Sequence, residues 1–204
     1  GQRQMCIRDS IGASCAKKFA SEGYRVILSG RRENRLIEIC KNLTSLYGDN
    51  FLPLAFDIRN KNEVFNAIES LPEDWKNIDI LINNAGLALG LNPFHQGSID
   101  HWEQMIDTNV KGLIYLTKAI VGQMIDRKEG HIINIGSIAG RNAYQNGNVY
   151  CATKAAVDSL TQSMRIDFLP YNIKVSQVAP GAVETEFSLV RFEGDEQKAA
   201  NVYK

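Results

Sequence analysis

Apolar runs and helix-period stripes alternate along the 204-residue chain, the pattern of a parallel sheet whose strands are linked by covering helices. Ile11, Cys15 and Phe19 stand four apart and give a first helix one stripe, with Gly23 placed to end it. A strand over residues 24–29 follows, then a helix through Leu36, Ile39 and Leu43, and a strand over 51–56. Asn60 and Glu63 make a capping pair for the next helix. Beyond it come a strand over 78–82, a long helical stripe through Ile106, Val110, Leu113, Thr117, Ile120 and Met124, and a strand over 131–135. A helix over about 149–168 shows Val149, Ala156, Leu160, Met164 and Phe168 on one side, and a strand over 173–178 closes the order.

This order predicts an α/β fold: a Rossmann-type doubly wound parallel sheet with helices on both faces, built by right-handed crossovers and binding ligands at the carboxyl ends of its strands. Both ends depart from the plan. Residues 1–10 read GQRQMCIRDS, without apolar alternation, so the normal opening strand is missing or replaced. They form a non-native-looking leader to a single dinucleotide-binding catalytic domain over 11–204. The polar tail over 193–204 ends without a closing strand, and an incomplete chain is expected.

Hydrophobic residues make up 44% and charged residues 23%, enough apolar material for one sizeable core. Lys and Arg number 23, as do Asp and Glu, so no overall field favours nucleic acid or an anionic membrane. Four cysteines, at 6, 15, 40 and 151, lack metal-ligand spacing; they read as reduced thiols of a cytoplasmic protein without a metal. No apolar run approaches the ~18 residues of a membrane span.

The strongest chemical signal is Tyr150-Cys-Ala-Thr-Lys154. Residues four apart share a helix face, which sets an ammonium beneath a phenol. A free tyrosine, pKa ~10, exchanges protons poorly at neutral pH, and an adjacent cation would lower that value. Taken alone, the pair would be a solvated surface feature. Ser137 changes its weight: it follows the strand Ile132-Ile133-Asn134-Ile135-Gly136, where a hydroxyl reaches the ligand edge of the sheet. His95, His101 and His131 show no catalytic spacing.

Asn83-Asn84-Ala85-Gly86 after a strand, Asn109 in a helix, Gly136-Ser137, Tyr150-x-x-x-Lys154 and Pro180-Gly181 occur in an order that resembles the short-chain dehydrogenase/reductase family, over residues 11–185. The resemblance implies that Tyr150 is the acid/base, that Ser137 polarises the substrate, that Lys154 also holds the nicotinamide ribose, and that Asn109 anchors a proton-relay water. Cofactor contacts would then fall on Gly12, Arg31, Arg32, Asp57, Asn84, Ala85, Gly86, Tyr150, Lys154, Pro180, Gly181, Val183 and Thr185. The family's glycine-rich turn is reduced to Gly12, its earlier positions falling within residues 3–10. Homodimers or homotetramers are expected on the same ground.

The second strand ends Ser29-Gly30-Arg31-Arg32, with no carboxylate for free ribose hydroxyls. Arginines here suit the extra phosphate of NADP, and a bound phosphate would offset the ~0.3–1 kcal/mol that a helix start charges for cations. Asp57 would contact adenine by resemblance, or serve only as a turn residue.

Substrate choice is expected from residues 87–91, 141–148 and the stretch after Pro180-Gly181. Thr185-Glu-Phe-Ser-Leu-Val-Arg-Phe192 resembles a family branch that oxidises short 3-hydroxy acids, including serine and allo-threonine. Arg191 would clamp the substrate carboxylate, with Ser137 and Tyr150 on the reacting oxygen; an ordinary surface arginine is the alternative. Competing functions are a ketone or quinone reductase using NADPH and a catalytically silent nucleotide-binding fragment.

Overall fold

The computed structural model describes residues 2–6, 10–181 and 191–192, with residues 2–6 and 10 as backbone only. Six strands, β1 (Gln2–Cys6), β2 (Arg25–Gly30), β3 (Phe51–Ala55), β4 (Ile80–Asn83), β5 (Gly130–Ile135) and β6 (Ile173–Val178), form one sheet in the order β3-β2-β1-β4-β5-β6. Every pairing is parallel. The strand order reverses between β1 and β4, the crevice where doubly wound sheets hold ligands.

The opening strand is thus replaced rather than missing. Arg3 pairs with Val26 on one side and Ile80 on the other. Parallel ladders are made of backbone N–H and C=O groups, so a segment without apolar alternation can fill the gap between two strands.

The helices are α1 (Ser10–Ser21), α2 (Glu33–Tyr47), α3 (Lys61–Glu69), α4 (Ile99–Ile106), α5 (Leu113–Arg127) and α6 (Asn148–Phe168). Val26 and Leu28 of β2 pack with α1 and α2, while Ile27, between them, packs with α3 and α5, as a sheet buried on both faces requires. Asn60 caps α3 as expected: its Oδ1 accepts from the backbone N of Asn62 and Glu63, and its Nδ2 donates to Glu63. Among the described residues, no helix is long and apolar enough to cross a membrane.

Three predicted faces turn differently. In α1 the buried line is Gly12, Ala16 and Ala20, with Ile11, Cys15 and Phe19 half-buried on its flank; small side chains bring the helix close to the sheet. In α6 the innermost line is Tyr150, Thr153, Lys154, Val157 and Thr161, mostly polar, and the apolar side read from sequence is only half-buried. Between α4 and α5, Asp107–Gly112 is π-helical. The extra residue per turn shifts the phase, so Met105, Thr108, Asn109 and Gly112 face inward while Ile106 is exposed.

Beneath the site runs a buried polar chain. Asn83 Nδ2 donates to Thr117 Oγ1 and to Asn134 Oδ1; Asn134 Nδ2 donates to Thr161 Oγ1, whose hydroxyl donates to the Val157 carbonyl. Two neighbouring strands are thereby tied to α5 and α6.

Candidate active site

Tyr150 and Lys154 lie on one face of α6, both nearly enclosed, at 8% and 6% exposure. The loop after β5 rides directly on this helix. A Cβ on Gly140 would come within 2.6 Å of the Lys154 carbonyl oxygen, so only glycine allows this approach. The same loop brings Ser137 near enough to Tyr150 for its hydroxyl to draw the phenol pKa down, and Ser137 Oγ accepts from the Ala139 N–H at 3.1 Å. Ile138 N donates to the Pro180 carbonyl, which sets Pro180 and Gly181 beside this loop. Val183 and Thr185 lie outside the described residues.

In the cofactor-free protein burial outweighs the downward pull on the Tyr150 phenol. Burial pushes the Tyr150 phenol up to about 12; the Ser137 hydroxyl and, more weakly, the Arg191 guanidinium act downward without overcoming it. Lys154 Nζ donates 2.9 Å to the Ile135 carbonyl. This bond ties the Lys154 ammonium to the end of β5.

Lys154 Nζ also faces the turn after β4, since a Cβ on Gly86 would lie 3.4 Å from it and 3.6 Å from Asn109 Oδ1. Asn109 is committed twice over: its Oδ1 accepts from Leu87 N and its Nδ2 donates to Leu87 O, each at 2.8 Å. A third bond runs to Thr153 Oγ1 of α6 at 3.0 Å. The side chain expected to anchor a water therefore first holds the Asn84–Leu87 turn against α6. Ala85 and Gly86 stay half-buried there, at the carboxyl end of β4.

At the other end of the crevice, Arg31 and Arg32 follow β2 with both side chains exposed. Asp57, just past β3, lies 3.9 Å from Arg31 and takes a forked contact from Arg59 at 2.6–3.1 Å. Burial alone would raise the Asp57 carboxyl, but its hydrogen bonds and charge contacts with Arg59, and the Arg31 charge, hold it below its ordinary value. Asp57 is thus both a turn residue, accepting from Arg59 N, and an anchor for two arginines. Arg59 carried no signal in the sequence beyond being a surface cation. These groups fit a dinucleotide with a phosphate on its adenosine ribose: cations at the end of β2, a glycine cradle after β4 and a lysine beside it. Of residues 3–10, where the family's glycine-rich turn is expected, residues 7–9 lie outside the described residues.

Arg191 is 6% exposed and meets Tyr150 across one pocket, its guanidinium carbon 5.7 Å from the Tyr150 ring centre. Its partners among the described residues are neutral: Nε donates to the Gly90 carbonyl at 3.1 Å and Nη1 to Tyr144 Oη at 2.8 Å. Among the described residues no carboxylate meets this cation, and an anion in the pocket would complement it. The walls include Gly90, His101, Trp102 and Asn148, so both segments 87–91 and 141–148 contribute. His101 enters through the fold alone; no spacing in the sequence marks it.

The model of the short chain dehydrogenase family matches residues 7–195. A Haemophilus influenzae protein named as a probable NADP-dependent dehydrogenase is 49% identical over 195 residues, covering 95% of this chain and 76% of its own. The NADP-dependent 3-hydroxy acid dehydrogenase YdfG of Escherichia coli K12 is 47% identical, covering 95% of this chain and 77% of its own. A solved structure described as the closed form of serine dehydrogenase complexed with NADP+ superposes with a TM-score of 0.95 at 44% identity, over 100% of this chain and 82% of that one. With its sheet order, its Ser137, Tyr150 and Lys154 constellation and these likenesses, the chain belongs to the short-chain dehydrogenase/reductase family.

Proposed function

We propose that the protein is an NADP-dependent oxidoreductase acting on the CH–OH group of a short 3-hydroxy acid, such as serine, allo-threonine or 3-hydroxypropionate. The observation that carries this reading is the buried Arg191 guanidinium, 5.7 Å from the Tyr150 ring and bonded to neutral groups. A cation at one end of a pocket and a proton-exchanging phenol at the other match a molecule with a carboxylate at one end and a hydroxyl-bearing carbon a short way along. The chain's likeness to YdfG, which is named as an NADP-dependent 3-hydroxy acid dehydrogenase, supports the same reading.

NADP supplies the hydride acceptor for oxidation and, reduced, the donor for the reverse reaction. Arg31 and Arg32 would hold the phosphate on its adenosine ribose, and Lys154 together with the Gly86 turn would receive the nicotinamide ribose. In reduction Tyr150 gives its phenol proton to the substrate oxygen while Ser137 donates a hydrogen bond to the same oxygen; in oxidation it takes that proton back as the phenolate, a form that burial disfavours in the cofactor-free protein and that the neighbouring Lys154 ammonium favours. Asn109 holds the turn that shapes this side of the crevice. Arg191 fixes the carboxylate and so aims the reacting carbon.

A panel of 3-hydroxy acids, uncharged alcohols, ketones and quinones, run with NADP and with NAD, tests the proposal. The expected result is oxidation of 3-hydroxy acids with NADP, at kcat/KM about 10–100-fold above matching uncharged alcohols, the range of one charged hydrogen bond. Turnover confined to ketones or quinones would favour the reductase alternative. Binding of NADPH without turnover of any substrate would make the chain a silent module.

A further inference from the structure

Arg191 reaches the pocket from a distant part of the chain, yet it is tethered at three points, two of them on its head group. Gly90 N donates to the Arg191 carbonyl at 3.0 Å while Arg191 Nε donates back to the Gly90 carbonyl at 3.1 Å. The third tether is Tyr144 Oη, 2.8 Å from Nη1, with the guanidinium carbon 5.5 Å from the Tyr144 ring centre. Two acceptors on different edges of a planar group fix its plane as well as its position. A guanidinium has five N–H donors, and these contacts use two of them.

Tyr144 is 39% exposed but is held from its backbone and along one edge of its ring. Its carbonyl accepts from Gly147 N in the turn that opens α6. Its ring lies so close to Gly147 that a Cβ there would come within 2.7 Å of it. Burial raises the Tyr144 phenol above its ordinary value, against a smaller opposing pull from Arg191, so it remains neutral. A neutral acceptor orients the guanidinium without cancelling its charge, whereas a carboxylate in the same place would occupy the cation and compete with the substrate.

We propose that Tyr144 is a positioning residue for substrate selection, its hydroxyl setting the Arg191 guanidinium in the orientation that receives a substrate carboxylate. The proposal rests on the reading of Arg191 as the carboxylate clamp. Tyr144 touches neither the reacting carbon nor the cofactor in this scheme, and its contribution is felt in KM rather than kcat.

The test uses Tyr144→Phe, which keeps the ring and removes only the acceptor. KM and kcat are measured with saturating NADP for a 3-hydroxy acid and for the diol of the same carbon skeleton, beside Arg191→Ala and the double variant. Tyr144→Phe is expected to raise the acid-to-diol KM ratio about 3–10-fold, the range of one net hydrogen bond, with kcat ratios nearly constant. Arg191→Ala raises the KM ratio further, and adding Tyr144→Phe to it has no additional effect. If Arg191→Ala shifts the ratio but Tyr144→Phe does not, or if Tyr144→Phe acts equally without Arg191, the positioning role is overturned. If Arg191→Ala leaves the ratio unchanged, the clamp itself falls, and the role of Tyr144 with it.

Discussion

Asn109 grips the backbone of Leu87 from both sides, accepting from its N–H and donating to its carbonyl at 2.8 Å each. A further bond to Thr153 ties the same side chain to α6, so one amide joins the π-helical segment, the turn after β4 and the catalytic helix. Asn109→Leu would leave two backbone groups and a hydroxyl to find other partners, at about 1–3 kcal/mol for each polar group left buried and unpaired. Thermal unfolding should fall by about 2–4 °C per kcal/mol lost for a chain of this size, together with turnover. An unchanged Tm with full activity would show that the grip is incidental.

Gly140 gives a second structural test. Alanine there would meet the Lys154 backbone at 2.6 Å, and the helix or the Ser137 loop must shift. The expected cost is about 1–3 kcal/mol of overpacking, with kcat reduced because the shift separates Ser137 from Tyr150. Gly122→Ala, exposed on α5 with no atom within 4 Å of its added Cβ, is the control. It should gain up to about 1 kcal/mol of stability from helix propensity. Equal behaviour of the two variants in calorimetry and turnover would remove Gly140 from the site's framework.

Replacing Arg31 and Arg32 together by alanine should raise KM for NADP about 10–100-fold, as loss of charged hydrogen bonds to a phosphate implies. KM for NAD should move much less. Arg59 should not substitute for them, because Asp57 engages it through both carboxylate oxygens. Steady-state kinetics with both cofactors reads the outcome directly. Parallel changes for NADP and NAD would mean that these arginines serve the fold rather than the phosphate.

The cofactor-free protein should contain one tyrosine that resists ionisation. With burial holding the Tyr150 phenol near 12, raising the pH through the ordinary tyrosine value of ~10 deprotonates exposed phenols first. A difference titration by ultraviolet absorbance, wild type against Tyr150→Phe, should show no Tyr150 phenolate signal below about pH 10. A Tyr150 signal already present near neutral pH would mean that the Lys154 charge outweighs desolvation, as the sequence pattern alone suggests.

Much of the architecture was legible because it depends on local periodicity. The strands from β2 to β6 begin and end within about two residues of their apolar runs, the resolution at which such boundaries are read. Tyr150 and Lys154 share a face because any α-helix stacks residues four apart. What escaped depends on tertiary contact. The π-helical segment has no signature in an apolar stripe, and reading through it as ordinary helix pointed Ile106 inward when it is exposed. The inner face of α6 is polar because it carries the site, so an apolar stripe could not mark it. The strand Gln2–Cys6 is held by its neighbours' backbone, not by its own pattern. Arg191 was nameable only by resemblance, and its meeting with Tyr144 and Gly90 joins segments far apart in the chain.

The most direct measurement is NADPH formation from a 3-hydroxy acid by wild-type protein and by Tyr150→Phe, with NADPH binding measured on both. Removing the proton-exchanging hydroxyl should lower kcat by about 10²–10⁴-fold while the dissociation constant for NADPH changes little. Turnover that survives in Tyr150→Phe, with cofactor binding intact, would contradict the assignment of proton transfer to this residue.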